Sequence, residues 1–317
     1  MKQIISIIVP VYNAEQSIKR CLDSLLGQSI QNFIIYVVND GSTDDTLKVL
    51  KNYENNSKIK IINQKNEGVS RARNRALKEV ATAYVAFVDA DDYVTQDYLR
   101  HMIEGYNNKL VDLVIEQSTN REKNSIIISS KAMRRLIGRN GVGGYLWNKL
   151  FKTKIIKKNN LTFKNNLKIA EDLVFCEEYL LHCNFVSFLP YSDYIYSRDS
   201  NSTSNKGQLV NYTSEFYINY NYALKELLKL IPKQYKKLSS DLMAEICNVN
   251  FDYFRMLKLQ RKDANFEINH AMSEILLNRR KFMMSRNVEK KRKIMLLVFS
   301  FSPRIITMID KINARRK

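Results

Sequence analysis

Four short apolar runs, each closed by a polar cluster and separated from the next by a segment of helical periodicity, constrain the fold more than any other feature. Residues 4–11 are almost uninterruptedly apolar, as in a strand buried on both faces. Ile18, Cys21, Leu22, Leu25 and Leu26 then recur at three- and four-residue spacing, which predicts an amphipathic helix over 15–28. A second strand over 33–38 runs into the turn residues Asn39-Asp40-Gly41-Ser42-Thr43, where Ser42 or Thr43 can cap a helix reaching 53. A third strand is expected over 58–62, a helix over 71–80 with Ala72, Ala76, Leu77 and Val80 on one side, and a fourth strand over 84–88. This alternation predicts an α/β fold, a mostly parallel central sheet flanked by helices.

The polar clusters are Tyr12-Asn13, Asp40, Asn66-Glu67-Gly68 and Asp89-Ala90-Asp91-Asp92, and all follow the carboxyl ends of expected strands. In open parallel sheets that edge is where ligands bind. Acids gathered there call for a counter-charge, and the simplest is Mg2+ or Mn2+ on a diphosphate, which takes one or two protein carboxylates. Asp91 is the expected metal contact, with Asp92 behind it or in its place, while Asp89 could hydrogen-bond a ribose hydroxyl or orient the loop. The plainer reading is a helix start decorated with acids to suit its dipole. Asp40 could accept the N3 proton of a uracil ring, or be a solvated turn residue. Arg71 and Arg73 sit near a helix start, where guanidinium and backbone N–H donors together can hold a nucleotide. Glu171-Asp172, on a different segment, could take the proton of an incoming hydroxyl or simply cap a helix.

From residue 110 the alternation fades. Helices are expected over 131–137 and 173–181, a glycine-rich break over 138–144, and the only Trp lies in Tyr145-Leu146-Trp147-Asn148-Lys149. The polar stretch 201–207 reads as a boundary, dividing the chain into domains 1–205 and 206–317. Helical periodicity over 212–231, 238–258 and 266–284 predicts an all-α C-terminal region.

The segments Val9-Pro10-Val11-Tyr12-Asn13, Val38-Asn39-Asp40-Gly41-Ser42-Thr43-Asp44, Asn66-Glu67-Gly68 with Ala72-Arg73-Asn74, Phe87-Val88-Asp89-Ala90-Asp91-Asp92, Trp147-Asn148-Lys149-Leu150 and Glu171-Asp172 occur in the order found in one family. Over roughly residues 4–200 the chain resembles the inverting family 2 glycosyltransferases of GT-A fold. The resemblance implies a base and ribose pocket lined by Pro10, Val11, Tyr12 and Asp40, with Asn66, Gly68, Arg71 and Arg73 nearby. Asp89 and Asp91 would be the acids of the DxD motif with Ala90 between them, Asp91 nearest Mn2+ or Mg2+. Asp172 would be the catalytic base with Glu171 beside it, and Trp147 and Lys149 would face the donor–acceptor crevice. The implied reaction moves a sugar from a nucleotide-sugar donor, a UDP-sugar, to a hydroxyl of a glycan, lipid-linked or protein-glycan acceptor in cell-surface glycan assembly. A non-catalytic nucleotide-sugar-binding or scaffold protein is the alternative.

Charge supplies a separate signal. The net charge of +19 is uneven: residues 1–110 carry 14 Lys and Arg against 13 Asp and Glu, whereas 211–317 carry 22 against 10. A nucleic-acid partner is not expected, because the N-terminal part is nearly neutral and the basic tail holds no reader motif. Lys290-Lys291-Arg292-Lys293 precedes the apolar run 294–299. Ser302-Pro303 then reads as a helix start before Ile305, Ile306, Met308, Ile309 and Ile312. Apolar faces with cationic edges suit an anionic membrane surface; packing on the same domain, or against a second copy in a homodimer, is the alternative. Cys21, Cys176, Cys183 and Cys247 form no metal or disulfide pattern, 1–11 lacks a signal cleavage site, and no run reaches the roughly 18 apolar residues of a membrane span. These features predict a cytoplasmic protein, peripheral at the inner face of the cell membrane if the tail binds lipid.

Overall fold

The computed structural model describes residues 4–117, 123–137, 143–197, 213–260 and 264–315. The expected division at 205/206, the polar stretch 201–207 and most of the glycine-rich break lie outside them. The chain forms two compact units: residues 1–132, 144–166 and 171–198, and residues 133–143, 167–170 and 199–317.

In the first unit the four expected strands are β1 (Ile5–Val11), β2 (Phe33–Asp40), β3 (Ile59–Gln64) and β4 (Tyr84–Phe87), joined by helices α1 (Ile18–Leu26), α2 (Thr46–Lys51) and α3 (Val69–Glu79). All pair in parallel, in the spatial order β3-β2-β1-β4. The apolar runs are buried because helices cover both faces: Ile5, Ile7, Val9 and Val11 pack with Ile18, Cys21, Leu22 and Leu25 of α1 in one cluster. After β4 come β5 (Tyr93–Val94), α4 (Tyr98–Glu104), β6 (Val111–Glu116), β7 (Ser125–Ile128), α5 (Ser129–Leu136), β8 (Lys149–Lys152), α6 (Thr153–Lys158), α7 (Glu171–Leu180), β9 (Phe185–Leu189) and β10 (Tyr194–Ile195). The sheet continues as β4-β8-β6-β9-β7, and β5 pairs separately with β10. Sequence periodicity did not reveal this extension. Strand β8 runs antiparallel to β4 with Ala86 opposite Leu150, so its start, just after Trp147-Asn148, lies at the edge where the parallel strands end.

Every element lying wholly within the second unit is helical: α8 (Ser214–Leu230), α9 (Lys236–Leu259), α10 (Asn265–Met284), α11 (Lys290–Phe301) and α12 (Pro303–Arg315). Thr213 caps α8 by accepting the Phe216 N–H at 3.3 Å. Helix α9 is buried along most of its length. Arg255 on α9 forks onto Asp310 of α12 at 2.6 and 2.8 Å, and Arg292 of α11 reaches Asn248 and Asp252. Among the described residues no helix is long and apolar enough to cross a membrane.

Candidate active site

The parallel strands bring the ends of β1, β2, β3 and β4 to one edge, and short polar side chains lock the loops there. Asn13, held at φ +49°, accepts the Thr43 N–H through Oδ1 at 2.8 Å, and its own N–H donates to Ser42 Oγ. Ala14 N–H donates to Thr46 Oγ1, and Asp45 N–H to Glu15 Oε2. Asp40 is buried, and its carboxylate accepts Gln64 Nε2 at 2.7 Å and the N–H groups of Glu67 and Gly68 at 2.9 and 2.8 Å. It therefore anchors the loop that enters α3. Gly41 takes φ +69°, and a Cβ there would lie 2.6 Å from Asn66 N, so only glycine fits. Val11 is buried and Pro10 half-buried, whereas Tyr12, Asn66 and Gly68 are exposed at the rim. Arg71 is also exposed, paired with Glu67 one turn away at 3.1 Å.

Arg73 is the centre of the site. Its side chain is 5% exposed, and Nη1 donates to Asp172 Oδ1 at 2.6 Å and Glu171 Oε1 at 3.0 Å while Nη2 reaches Asp89 Oδ1 at 3.3 Å. One guanidinium thus ties Asp89, after β4, to the acids that open α7, about eighty residues later. Beneath it lies an aromatic floor: Arg73 stands 5.4 Å over the Phe163 ring, Phe163 stacks on Phe175 of α7 at 4.2 Å, and Phe87 of β4 meets both edge-on. Asn74 completes the support by exchanging two hydrogen bonds with the Phe163 backbone. Burial works against the Arg73 charge, but the three carboxylates more than offset it and hold its pKa above the usual value.

Asp172 has its side chain 23% exposed, so it is reachable from solvent. Burial, reinforced by Glu171 and Asp89, pushes its carboxyl well above the usual range against the pull of Arg73. Three acids share one cation, so the net field is negative. A carboxylate in such a place is a stronger base than one in water. Ala170, immediately before the pair, takes φ +61°, a left-handed conformation uncommon for a residue with a Cβ.

The acids after β4 divide by orientation. Asp89 is 38% exposed at the side chain and Asp91 is exposed, whereas Ala90 is buried. Asp92 turns inward: it is fully buried, accepts the Tyr194 hydroxyl at 2.5 Å and the Ser197 N–H at 2.8 Å, and burial pushes its carboxyl up to about 6. The Asp91 backbone is fixed from outside by Arg20 Nη2, which donates to its carbonyl at 2.8 Å and to Ser197 Oγ. Asp89 and Asp91 therefore offer hard oxygen donors toward the open edge, a set that suits Mg2+ or Mn2+ completed by phosphate oxygens and water. Among the described residues no group of three or more His, Cys, Asp or Glu could hold a metal by itself.

Trp147 is half-buried between Tyr194 at 4.5 Å and the exposed Tyr145 at 5.4 Å, all three rings stacked. Lys149, expected to face the crevice, lies fully inside the protein. Its ammonium donates to the Tyr145 carbonyl and to Asn148 Oδ1, and burial lowers its pKa. It holds the turn that carries the aromatic stack. Arg20 and Tyr194 were not singled out in the sequence, because each acts through a partner far away in the chain.

The glycosyl transferase family 2 profile matches residues 6–163. The uncharacterized glycosyltransferase EpsJ of Bacillus subtilis strain 168 is 31% identical over 217 residues, 64% of this chain and 63% of the relative. The poly(ribitol-phosphate) beta-N-acetylglucosaminyltransferase TarS of Staphylococcus aureus strain MW2 is 28% identical, over 83% of this chain and 48% of the relative. The chain thus spans less than two thirds of either relative's length. The crystal structure of S. aureus TarS 1–349 with UDP-GlcNAc superposes with TM-score 0.71 at 25% identity, covering 100% of this chain and 92% of that one. The architecture is GT-A: a mostly parallel sheet with flanking helices, followed by a helical region.

Proposed function

Since the chain belongs to glycosyltransferase family 2, we propose that it transfers a sugar with inversion from a UDP-sugar to a hydroxyl of a cell-surface glycan. The observation that carries this reading is the Arg73 bridge, which brings Asp89, the first acid of the cluster suited to a diphosphate-bound metal, against the acid suited to a base. The UDP-GlcNAc held by TarS 1–349 supports the choice of nucleotide, and the poly(ribitol-phosphate) in the name of TarS supports a polymeric cell-wall acceptor.

In this mechanism Val11, Tyr12 and the loop anchored by Asp40 receive the base and ribose. Asp89 and Asp91 would hold Mn2+ or Mg2+, which when bound neutralises the departing diphosphate. Asp172 accepts the proton of the acceptor hydroxyl as that oxygen attacks the anomeric carbon from the face opposite the nucleotide, so one displacement inverts the centre. Arg73 opposes the rise in the Asp172 pKa and aims its carboxyl group, and its burial means that it holds this position without competing water. Glu171 shapes the acceptor side, and the exposed Tyr145, stacked on Trp147, offers a flat apolar surface to a sugar ring. A reducing, cytoplasmic setting is supported by four cysteines that are all free and buried.

The test is a turnover screen over a panel of nucleotide sugars, with and without manganese, reading release of the nucleoside diphosphate. One UDP-sugar should be consumed, and only with a divalent ion. Binding of UDP without consumption of any donor would favour a non-catalytic nucleotide-sugar-binding protein instead.

A further inference from the structure

We propose that α11 and α12 form a docking element for an anionic phospholipid surface, with an acyl chain entering a cavity beside α12. The reading comes from two faces of one helix. On α11, Arg292, Leu296 and Phe299 point inward, Arg292 to Asn248 and Asp252 and the two apolar residues into the core. Roughly opposite them at helical spacing stand Lys290, Ile294, Leu297 and Phe301, all exposed, Phe301 to 90%. Helix α12 repeats the pattern: Asp310 and Ile306 are buried, the former in the Arg255 fork, while Ile305, Met308 and Ile309 remain exposed. Single exposed apolar residues are ordinary, but two successive helices with such stripes are not.

The cavity supplies the second observation. It holds about 560 Å³ in the second unit and is lined by Phe254, Ile268, Met272, Pro303 and Met308. That volume lies in the range of small-molecule sites. Its remaining lining includes Lys258 and Arg304, and among the described residues neither has a carboxylate partner. Lys290, Lys291 and Lys293 at the start of α11 likewise carry no ion pair among the described residues. Apolar walls beside unneutralised cations complement an acyl chain below a phosphate, and the excess of 22 Lys and Arg over 10 Asp and Glu in 211–317 extends that complementarity to a whole anionic surface. A second copy of this chain would place like charges face to face.

The test is co-sedimentation of the full chain with phosphatidylcholine vesicles and with vesicles enriched in phosphatidylglycerol. The anionic vesicles should bind at least tenfold more tightly, and salt should weaken the binding. Each lysine near the surface contributes roughly fivefold, so Lys290→Gln, Lys291→Gln and Lys293→Gln together should cost on the order of a hundredfold. Each buried methylene is worth about fourfold, so Leu297→Ser with Phe301→Ser should cost well over tenfold while the thermal midpoint stays unchanged. Met272→Trp, which fills the cavity, should weaken binding without altering the surface charge. Equal binding to neutral and anionic vesicles, no binding, binding only when a polyprenyl phosphate is added, or a dimer in sedimentation velocity that Phe301→Ser dissociates would each overturn the proposal. Asp172→Asn should bind vesicles like the wild type, because lipid docking does not depend on transfer.

Discussion

Replacing Arg73 by methionine keeps most of the side-chain volume over Phe163 and removes the charge that three carboxylates share. The contacts at 2.6 and 3.0 Å are charge-assisted hydrogen bonds, each worth about 1.5–3 kcal/mol, while the one at 3.3 Å is weaker. The larger consequence is that Asp172 and Glu171 are left together with no cation. At pH 7 the cheapest relief is to protonate one of them, which from a solution pKa near 4 costs about 4 kcal/mol, within the range seen for breaking buried pairs. The sign follows from that protonation. In the variant the folded state binds a proton that the unfolded chain releases, so the deficit grows as pH rises and shrinks as it falls. Between pH 7 and pH 5 it should shrink by at most about 2.7 kcal/mol, less the share of that slope which the raised Asp172 carboxyl already gives the wild type. Urea unfolding of wild type and variant at both pH values measures this directly. A deficit below about 1 kcal/mol at pH 7 would refute the reading of Arg73 as the counter-charge of the site.

Three other expectations are independent of that one. Gly41→Ala forces a Cβ to within 2.6 Å of Asn66 N at φ +69°, and should cost about 1–3 kcal/mol in thermal unfolding while weakening UDP binding; an unchanged midpoint would show that the loop adjusts freely. Burial pushes the Glu116 carboxyl from 4.5 up to about 9, so its contribution is complete below pH 4.5 and lost as pH rises to 9. Glu116→Gln should therefore lose about 2–4 kcal/mol less stability than wild type between pH 5 and pH 8 in urea titrations. Asp91→Ala should abolish the part of UDP affinity that depends on manganese, whereas Asp92→Asn, altering a side chain tied to Tyr194 and Ser197, should lower stability and leave that dependence in place.

The first half of the sheet was readable because β1 to β4 are local: each strand is a run of apolar residues and each crossover helix fits between neighbours. Strand β8 was not, since Lys-Leu-Phe-Lys has no alternation to distinguish it, and its place between β4 and β6 depends on pairing with residues more than thirty and sixty positions away. The site divides in the same way. Asp40, Asp89, Asp91 and Asp172 could be named because they end strands or open a helix. The inward turn of Asp92 could not, because Tyr194 and Ser197 approach from a hundred residues downstream. Lys149 shows the opposite failure: a lysine beside a Trp suggests a solvent-facing cation, yet its ammonium is satisfied by Tyr145 and Asn148 inside the fold. Arg73 was expected to lie near a nucleotide; its contacts with Asp89, Glu171 and Asp172 were not readable, because those acids lie up to a hundred residues away in the chain.

The division of labour between the diphosphate acids and the base is tested most directly in one variant, Asp172→Asn, by titrating UDP with manganese calorimetrically and following sugar transfer in the same preparation. UDP affinity should stay within about twofold of wild type while transfer falls by on the order of 10²–10⁴. Transfer at the wild-type rate, or loss of UDP binding together with transfer, would contradict the assignment of Asp172 as the base.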